Sequence, residues 1–307
     1  MFIVNNTRCP ENVQLLQQAV DLRQQIAQLL GYDTHSQFVT EVLMSKTPEA
    51  VLEMETSLRA KLAPLGQQEL VELQALKKEY VEAAGLPYEG FYKWDKEFFT
   101  NLQFEQKYQV KSELVKEYFP MIQVQQGILD IYQQVLGLKL VKVEHPEFAQ
   151  HYQTGEVIPT DLVNKLIAAK NHGAGLKYLR QIALGTFDIT MYNSLKPVNV
   201  CDLFNQLDQE IGLVGSGDAE VFGVATFGHV VSSYDSQYYG YLWSESIAAD
   251  MFASRFLKDG IDSPQAGQDY RREILAPGGS RDAMDSIVKF LGRKPNNQAF
   301  LKSIGLG

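Results

Sequence analysis

Residues Thr47 to Gly85 read TPEAVLEMETSLRAKLAPLGQQELVELQALKKEYVEAAG. The Thr47 hydroxyl can accept a hydrogen bond from a spare N–H of a first helical turn, and Pro48 after it has no N–H to leave unpaired. A helix is therefore expected to start here. Val51, Met54, Leu58 and Leu62 follow at steps of three and four, which places them on one helix face. Pro64 and Gly66 interrupt that pattern before a second helical run continues to Gly85. A kinked pair of long helices over 47–84 is the simplest expectation.

The same period recurs on both sides. Leu15, Ala19, Leu22, Ile26 and Leu29 step by four and three along one face, and Gly31 can close that helix. LPYEGFYKWD, from Leu86 to Asp95, reads as a loop around Pro87 and Gly90. Further helices are expected near 94–107, 112–135, 161–191, 200–212, 236–259, 264–275, 282–291 and 296–303. Alternation is rare, and LKLVKVEH (Leu138 to His145) is the best strand candidate. The pattern predicts a mainly α fold with little or no β-sheet, as a single helical domain over 1–307.

Composition narrows the function. The 307 residues are 45% hydrophobic and 21% charged, which suits a globular chain with a substantial core. The net charge of -9 argues against a nucleic-acid partner, because phosphate binding needs a basic footprint. The two cysteines, Cys9 and Cys201, imply neither a disulfide framework nor a cysteine metal site. MFIVNNTRCPEN does not read as a signal peptide, and no window approaches the roughly 18 apolar residues of a membrane span. A soluble, cytoplasmic protein without a membrane partner is expected.

Several chemical motifs can be set aside. Gly212-x-x-Gly215-x-Gly217 neither follows a clear strand nor runs into a GK[ST] step, so a flexible surface loop is preferred to a phosphate cradle. A helical zinc peptidase site needs two histidines one turn apart with a glutamate after the first. None of His35, His145, His151, His172 and His229 is followed by Glu or by a second His four residues on. No G-x-S-x-G elbow is present either.

What remains is FGHVVSSYDSQYYGYLWSESIAADMF, Phe227 to Phe252. Tyr234, Tyr238 and Tyr241 step by four and three, so one face at a helix start would carry all three. Gly228, His229, Ser232 and Ser233 form a polar loop just ahead. Hydroxyls and an imidazole at a helix start suit a carbonyl or a developing oxyanion. Tyrosine also packs in helical interiors with its hydroxyl at the rim, so a purely structural role competes. Phe227, Leu242, Trp243 and Phe252 are expected in the core.

That stretch resembles the C-terminal region of the M3 zinc metallopeptidases, the thimet oligopeptidase, neurolysin and saccharolysin family. The likeness continues through GQDYRREILAPGGSRDAMDSIVKFLGRKPNNQAFLKSIGL (Gly267 to Leu306). It is also found in NTRCPEN, LLGYDTHSQFV, KLAPLGQQE, WDKEFF, LVKEYFPM, HYQTGEVIPTDLVNKLIAAKN and LRQIALGTFD. The resemblance implies that His229, Tyr234, Tyr238 and Tyr241 are substrate-contacting and oxyanion-stabilising positions. It implies a loop with glycines where this chain has Ser232 and Ser233.

The resemblance also marks departures. The resemblance implies that this sequence starts after the family's N-terminal helical domain, which is expected to be missing. QGILDIYQQVLGLKLVKVEHPEF (Gln126 to Phe148) passes almost directly into AQHYQTGEVIP, where the family carries its HExxH helix and third ligand, a Glu. A deletion seam is thus expected near 148–151, in what resembles part of the family's catalytic domain. Zinc is expected of the family, but no cofactor is expected here because its ligands are missing. The chain is expected to be inactive as a peptidase and to bind short peptides or a protein through Gly228–Tyr241. Two alternatives stand beside this. One is an active metallopeptidase using a partner chain or a metal site from His145, Glu147, His151 and His172. The other is a regulatory module pairing with a full-length paralogue. A homodimer is among the expected partners, since a removed block exposes apolar surface.

Overall fold

The computed structural model describes residues 9–110, 115–138, 151, 153–217, 219, 221–261 and 263–306. The described residues form helices and turns with no extended strand. The candidate strand after Leu138 and the seam residues before His151 lie outside the described residues. No described helix is long and apolar enough to cross a membrane. The chain gathers into two compact units. The first comprises Met1–Gln103 and Gly173–Ser244; the second comprises Phe104–His172 and Glu245–Gly307.

The first unit is built on α1 (Glu11–Leu29), α2 (His35–Thr40), α3 (Pro48–Ala83), the start of α4 (Lys93–Tyr108), α7 (Ala174–Asn193) and α8 (Val200–Glu210). Thr47 caps α3 as the sequence predicts, its Oγ1 accepting from Ala50 N at 3.2 Å. Yet α3 is one continuous helix of 36 residues with Pro64 inside it, not two segments. Gly66 of α3 packs against Gly175 of α7, where an added Cβ on Gly175 would stand 2.6 Å from Gly66 N and 2.8 Å from Gly66 Cα. The glycine pair lets the two backbones touch, which explains a glycine in mid-helix better than a break does.

Helix α1 corrects the sequence pattern more sharply. Leu15, Leu22, Ile26 and Leu29 are 51 to 87% exposed, while Leu16, Val20 and Ala27 are buried. The helix has two apolar stripes, and the more conspicuous one faces outward. Leu16 and Val20 join Phe187, Tyr192, Phe204 and Tyr238 in the core cluster beneath the tyrosine loop. Helix α2, short and capped by Thr34, was not anticipated.

The second unit contains α5 (Met121–Leu136), α6 (Thr160–Ala169), α10 (Pro264–Tyr270), α11 (Ala283–Leu291) and α12 (Gln298–Ser303). Pro120 starts α5 later than periodicity suggested, and Gly173, at φ 68°, separates α6 from α7 where one helix over 161–191 was expected. α10 packs on α5, with Gln268 Nε2 donating to the Leu136 carbonyl at 3.0 Å. Both Asp250 oxygens accept from Arg293 at 2.7 Å. Helix α9 (Gly240–Met251) continues through a π turn at Phe252–Phe256 and ends by Asp259. Phe252, expected in the core, is 45% exposed.

Candidate functional site

The tyrosine loop does not begin as a helix. Gly228–Val231 is a 3₁₀ turn, 232–239 are tight turns, and α9 starts only at Gly240. Turn geometry nevertheless gathers the predicted side chains. The His229 ring lies edge-on to Tyr234 at 5.9 Å, Tyr238 at 5.2 Å and Tyr241 at 6.1 Å. Tyr234 and Tyr241 stack at 5.6 Å with their planes within 5°. One predicted member is turned inward: Tyr238 is buried, packs on Phe227 at 5.0 Å, and donates its hydroxyl to Gln181 Oε1 at 3.3 Å. It forms the floor, while His229, Tyr234 and Tyr241 are exposed above it, as are Gly228, Ser232 and Ser233.

The chemistry of this surface is hydrogen-bond donation. The Tyr241 phenol is pushed above its ordinary value by its hydrogen bond to Tyr234. Burial pushes the Tyr238 phenol up as well. The Tyr238 and Tyr241 phenols therefore keep their protons near neutral pH. Within the Tyr234–Tyr241 pair one hydroxyl donates to the other, and the second proton can reach a ligand carbonyl.

Residues that spacing alone does not reveal hold this surface in place. Arg23 of α1 donates to the carbonyls of Val230 at 2.6 Å and of Val231 and Ser232 at 3.3 Å, and to the Tyr192 hydroxyl at 2.5 Å. Asp235 meets His35 Nε2 at 2.6 Å and Arg23 at 3.4 Å. Burial works to raise Asp235, but the His35 hydrogen bond and the Arg23 charge outweigh it and hold the carboxyl below its usual value. Asp188 of α7, fully buried, accepts from the backbone N–H groups of Ser236 and Tyr238. Ser232, where the family resemblance implied glycine, donates its hydroxyl to the His229 carbonyl at 3.0 Å. In the sequence Asp188 is the one charged residue of GTFDITMY, which gives no sign of the loop it reaches.

The other candidates separate cleanly. The glycine-rich stretch from Gly212 follows the C-terminal end of α8, whose carbonyl pole repels anions. Val214 within it is buried against Leu70 and Phe91. Among the described residues, no group of three or more His, Cys, Asp or Glu side chains could hold a metal ion. His35 is bonded to Asp235, and His229 is ringed by aromatics. His151 meets Glu117 at 3.0 Å, and His172 packs between Phe104 and Tyr108. His145 and Glu147 lie outside the described residues. Among the described residues, no set of side chains converges on one point as a tetrahedral zinc site requires.

A mainly helical chain with an aromatic, hydroxyl-rich loop at the start of its C-terminal helices thus defines the class. The model of peptidase family M3 matches residues 2–149 and 144–306, and the chain belongs to that family. It is 26% identical to saccharolysin of Saccharomyces cerevisiae, the match covering 99% of this chain and 63% of that protein. It is 27% identical to the thimet-like oligopeptidase of Dictyostelium discoideum, covering 98% and 66% respectively. For oligopeptidase A of Escherichia coli the identity is 22%, with 96% and 62% covered. The chain thus spans less than two thirds of these relatives' length. The saccharolysin alignment runs over 448 positions against 307 residues here, so at least 141 positions of that relative face no residue of this chain. The two stretches matched by the family model meet at 144–149.

Proposed function

We propose that this chain is a peptidase-family M3 member that binds short peptides, or an extended segment of a protein, through the Gly228–Tyr241 loop without cleaving them. The supporting observation is the exposed triad of His229, Tyr234 and Tyr241 over the buried Tyr238, in a 307-residue sequence without an HExxH pair. Zinc peptidases polarise the scissile carbonyl and make hydroxide at the metal. A chain without the two histidines and the glutamate of that motif keeps donors for a carbonyl oxygen but no activated water. In this reading the unmatched positions of the relatives include the metal-binding block, and they fall at the junction near 148–151. The imidazole of His229 and the outward phenol proton of the Tyr234–Tyr241 pair would hold backbone carbonyls of a bound peptide.

Calorimetric titration with short peptides tests this. Wild type should bind, and Tyr234→Phe with Tyr241→Phe should weaken binding about tenfold, the effect of losing roughly one hydrogen bond. Binding that is absent in wild type, or unchanged in the double variant, would remove the reading. Metal analysis of the same purified chain supplies the second readout. Stoichiometric zinc would instead favour a peptidase completed by a partner chain or an unconventional ligand set.

A further inference from the structure

The tyrosine loop is anchored by a buried carboxylate that makes no contact with solvent. Asp188 Oδ1 accepts from Ser236 N at 2.9 Å, and Oδ2 accepts from Tyr238 N at 3.0 Å. The two oxygens thus face donors of one and the same turn, with the Gln237 N–H between them acting in the same sense. Between them the backbone is held in an uncommon state: Ser236 has φ 57°, in the left-handed region that side chains with a Cβ disfavour. Its buried hydroxyl meets Ser36 Oγ at 2.8 Å. Such a conformation persists only where its surroundings over-determine it. The Tyr238 ring, placed by this turn, carries His229 at 5.2 Å and Tyr241 at 5.2 Å.

A carboxylate can accept from both N–H groups at once. A carboxylic acid does so less well, because the oxygen that takes the proton becomes a much weaker acceptor and has a hydrogen of its own to place. We propose that Asp188 is the positioning residue of the tyrosine site: ionised it locks the turn in its ligand-binding shape, and taking up one proton releases one anchor and lowers ligand affinity. This rests on the peptide-binding reading above.

The surroundings place that event near neutrality. Burial pushes Asp188 up to about 7, with the Asp235 charge adding to the rise and the backbone N–H groups of Tyr238, Ser236 and Gln237 opposing it. The groups facing it are Asp235 of the turn, Glu55 of α3, Tyr192 of its own helix and Tyr239. Arg23 and His35 offset the Asp235 charge.

Nitrogen–proton correlation spectra of the full chain between pH 5.5 and 8.5 test the anchor directly. The Ser236 and Tyr238 amides should shift together with a common midpoint near 7, and in Asp188→Asn, whose amide can accept only one of the two bonds, they should stay flat. Amides that do not titrate in wild type would overturn the proposal whether or not peptides bind. In calorimetry with a short peptide, wild-type affinity should fall at least threefold from pH 8 to pH 6. Asp188→Asn should bind weakly at both. A pH dependence that survives in Asp188→Asn would place the titration on His229 or His35 and overturn the proposal. Amides that titrate while no peptide binds at any pH would support the anchor and remove only the peptide reading.

Discussion

Arg23 shows how a single residue far from the loop can set it. Its guanidinium serves the Tyr192 hydroxyl, three successive carbonyls from Val230 to Ser232, and the Asp235 carboxylate. A planar fork with five donors can satisfy such an array, whereas an ammonium on a flexible stem cannot. Arg23→Ala is expected to destabilise the chain by about 1.5–3 kcal/mol, since the Val230 carbonyl, the Tyr192 hydroxyl and Asp235 each lose a charged donor and keep only their second partner. Arg23→Lys should recover less than half of the loss, as read by urea unfolding. Full recovery by lysine would reduce the clasp to a point charge. The site itself was partly legible at this scale. The spacing of Tyr234, Tyr238 and Tyr241 with His229 foretold one cluster, and the structure builds one. Arg23, His35 and Asp188 were not legible, because each reaches the loop from at least 48 residues away in sequence. Periodicity is a local signal and carries nothing about such contacts. The inward turn of Tyr238 was missed for a related reason, since spacing along a turn says nothing about which ring the core takes.

At the scale of elements, the helical fold was read from caps and periods, and the errors cluster where two signals compete. Thr47 and Gly31 mark ends correctly, because capping is decided within four residues. Pro64 was over-read as a break. Packing through the Gly66–Gly175 contact accounts for the glycine, and α3 absorbs the proline. Gly175→Ala should therefore cost more than about 2 kcal/mol in urea unfolding, because the methyl group would meet backbone rather than a movable side chain. On α1 both apolar stripes satisfy the helical period, and only tertiary packing selects between them. Leu16→Ala should cost about 2–4 kcal/mol, as cavity-forming core changes do. Leu22→Gln and Ile26→Gln on the outward stripe should each stay within about 0.5 kcal/mol. A large loss from either outward change would mean that this stripe is covered in solution.

For the whole molecule, the buried acids decide how stability follows pH. Glu55 is buried, with Oε2 accepting from Thr186 and Oε1 without a hydrogen-bond partner. Burial raises its carboxyl well above the ordinary value, the Thr186 bond offsets part of this, and the Asp188 charge adds to it. Asp188 is raised by burial from 3.8 to about 7. The folded chain therefore holds protons that the unfolded chain releases. For Asp188 that contribution is complete below about pH 4 and is lost as pH rises through about 7, and Glu55 acts in the same sense. Asp235 and Asp250 act in the opposite sense. Burial is outweighed by His35 and Arg23 at the first and by Arg293 at the second, so both carboxyls titrate below their ordinary value. Their contribution is complete above about pH 4 and is lost as the solution becomes more acidic. The two trends cross, so the urea midpoint should peak near pH 5 and decline toward pH 8, with Asp188 alone contributing at most on the order of 4 kcal/mol to the decline. Asp188→Asn and Glu55→Gln should each flatten the alkaline limb while leaving the acid limb in place. A midpoint that climbs steadily from pH 5 to pH 8 would mean that neither acid is ionised against burial, and that these two carboxyls are reached by water.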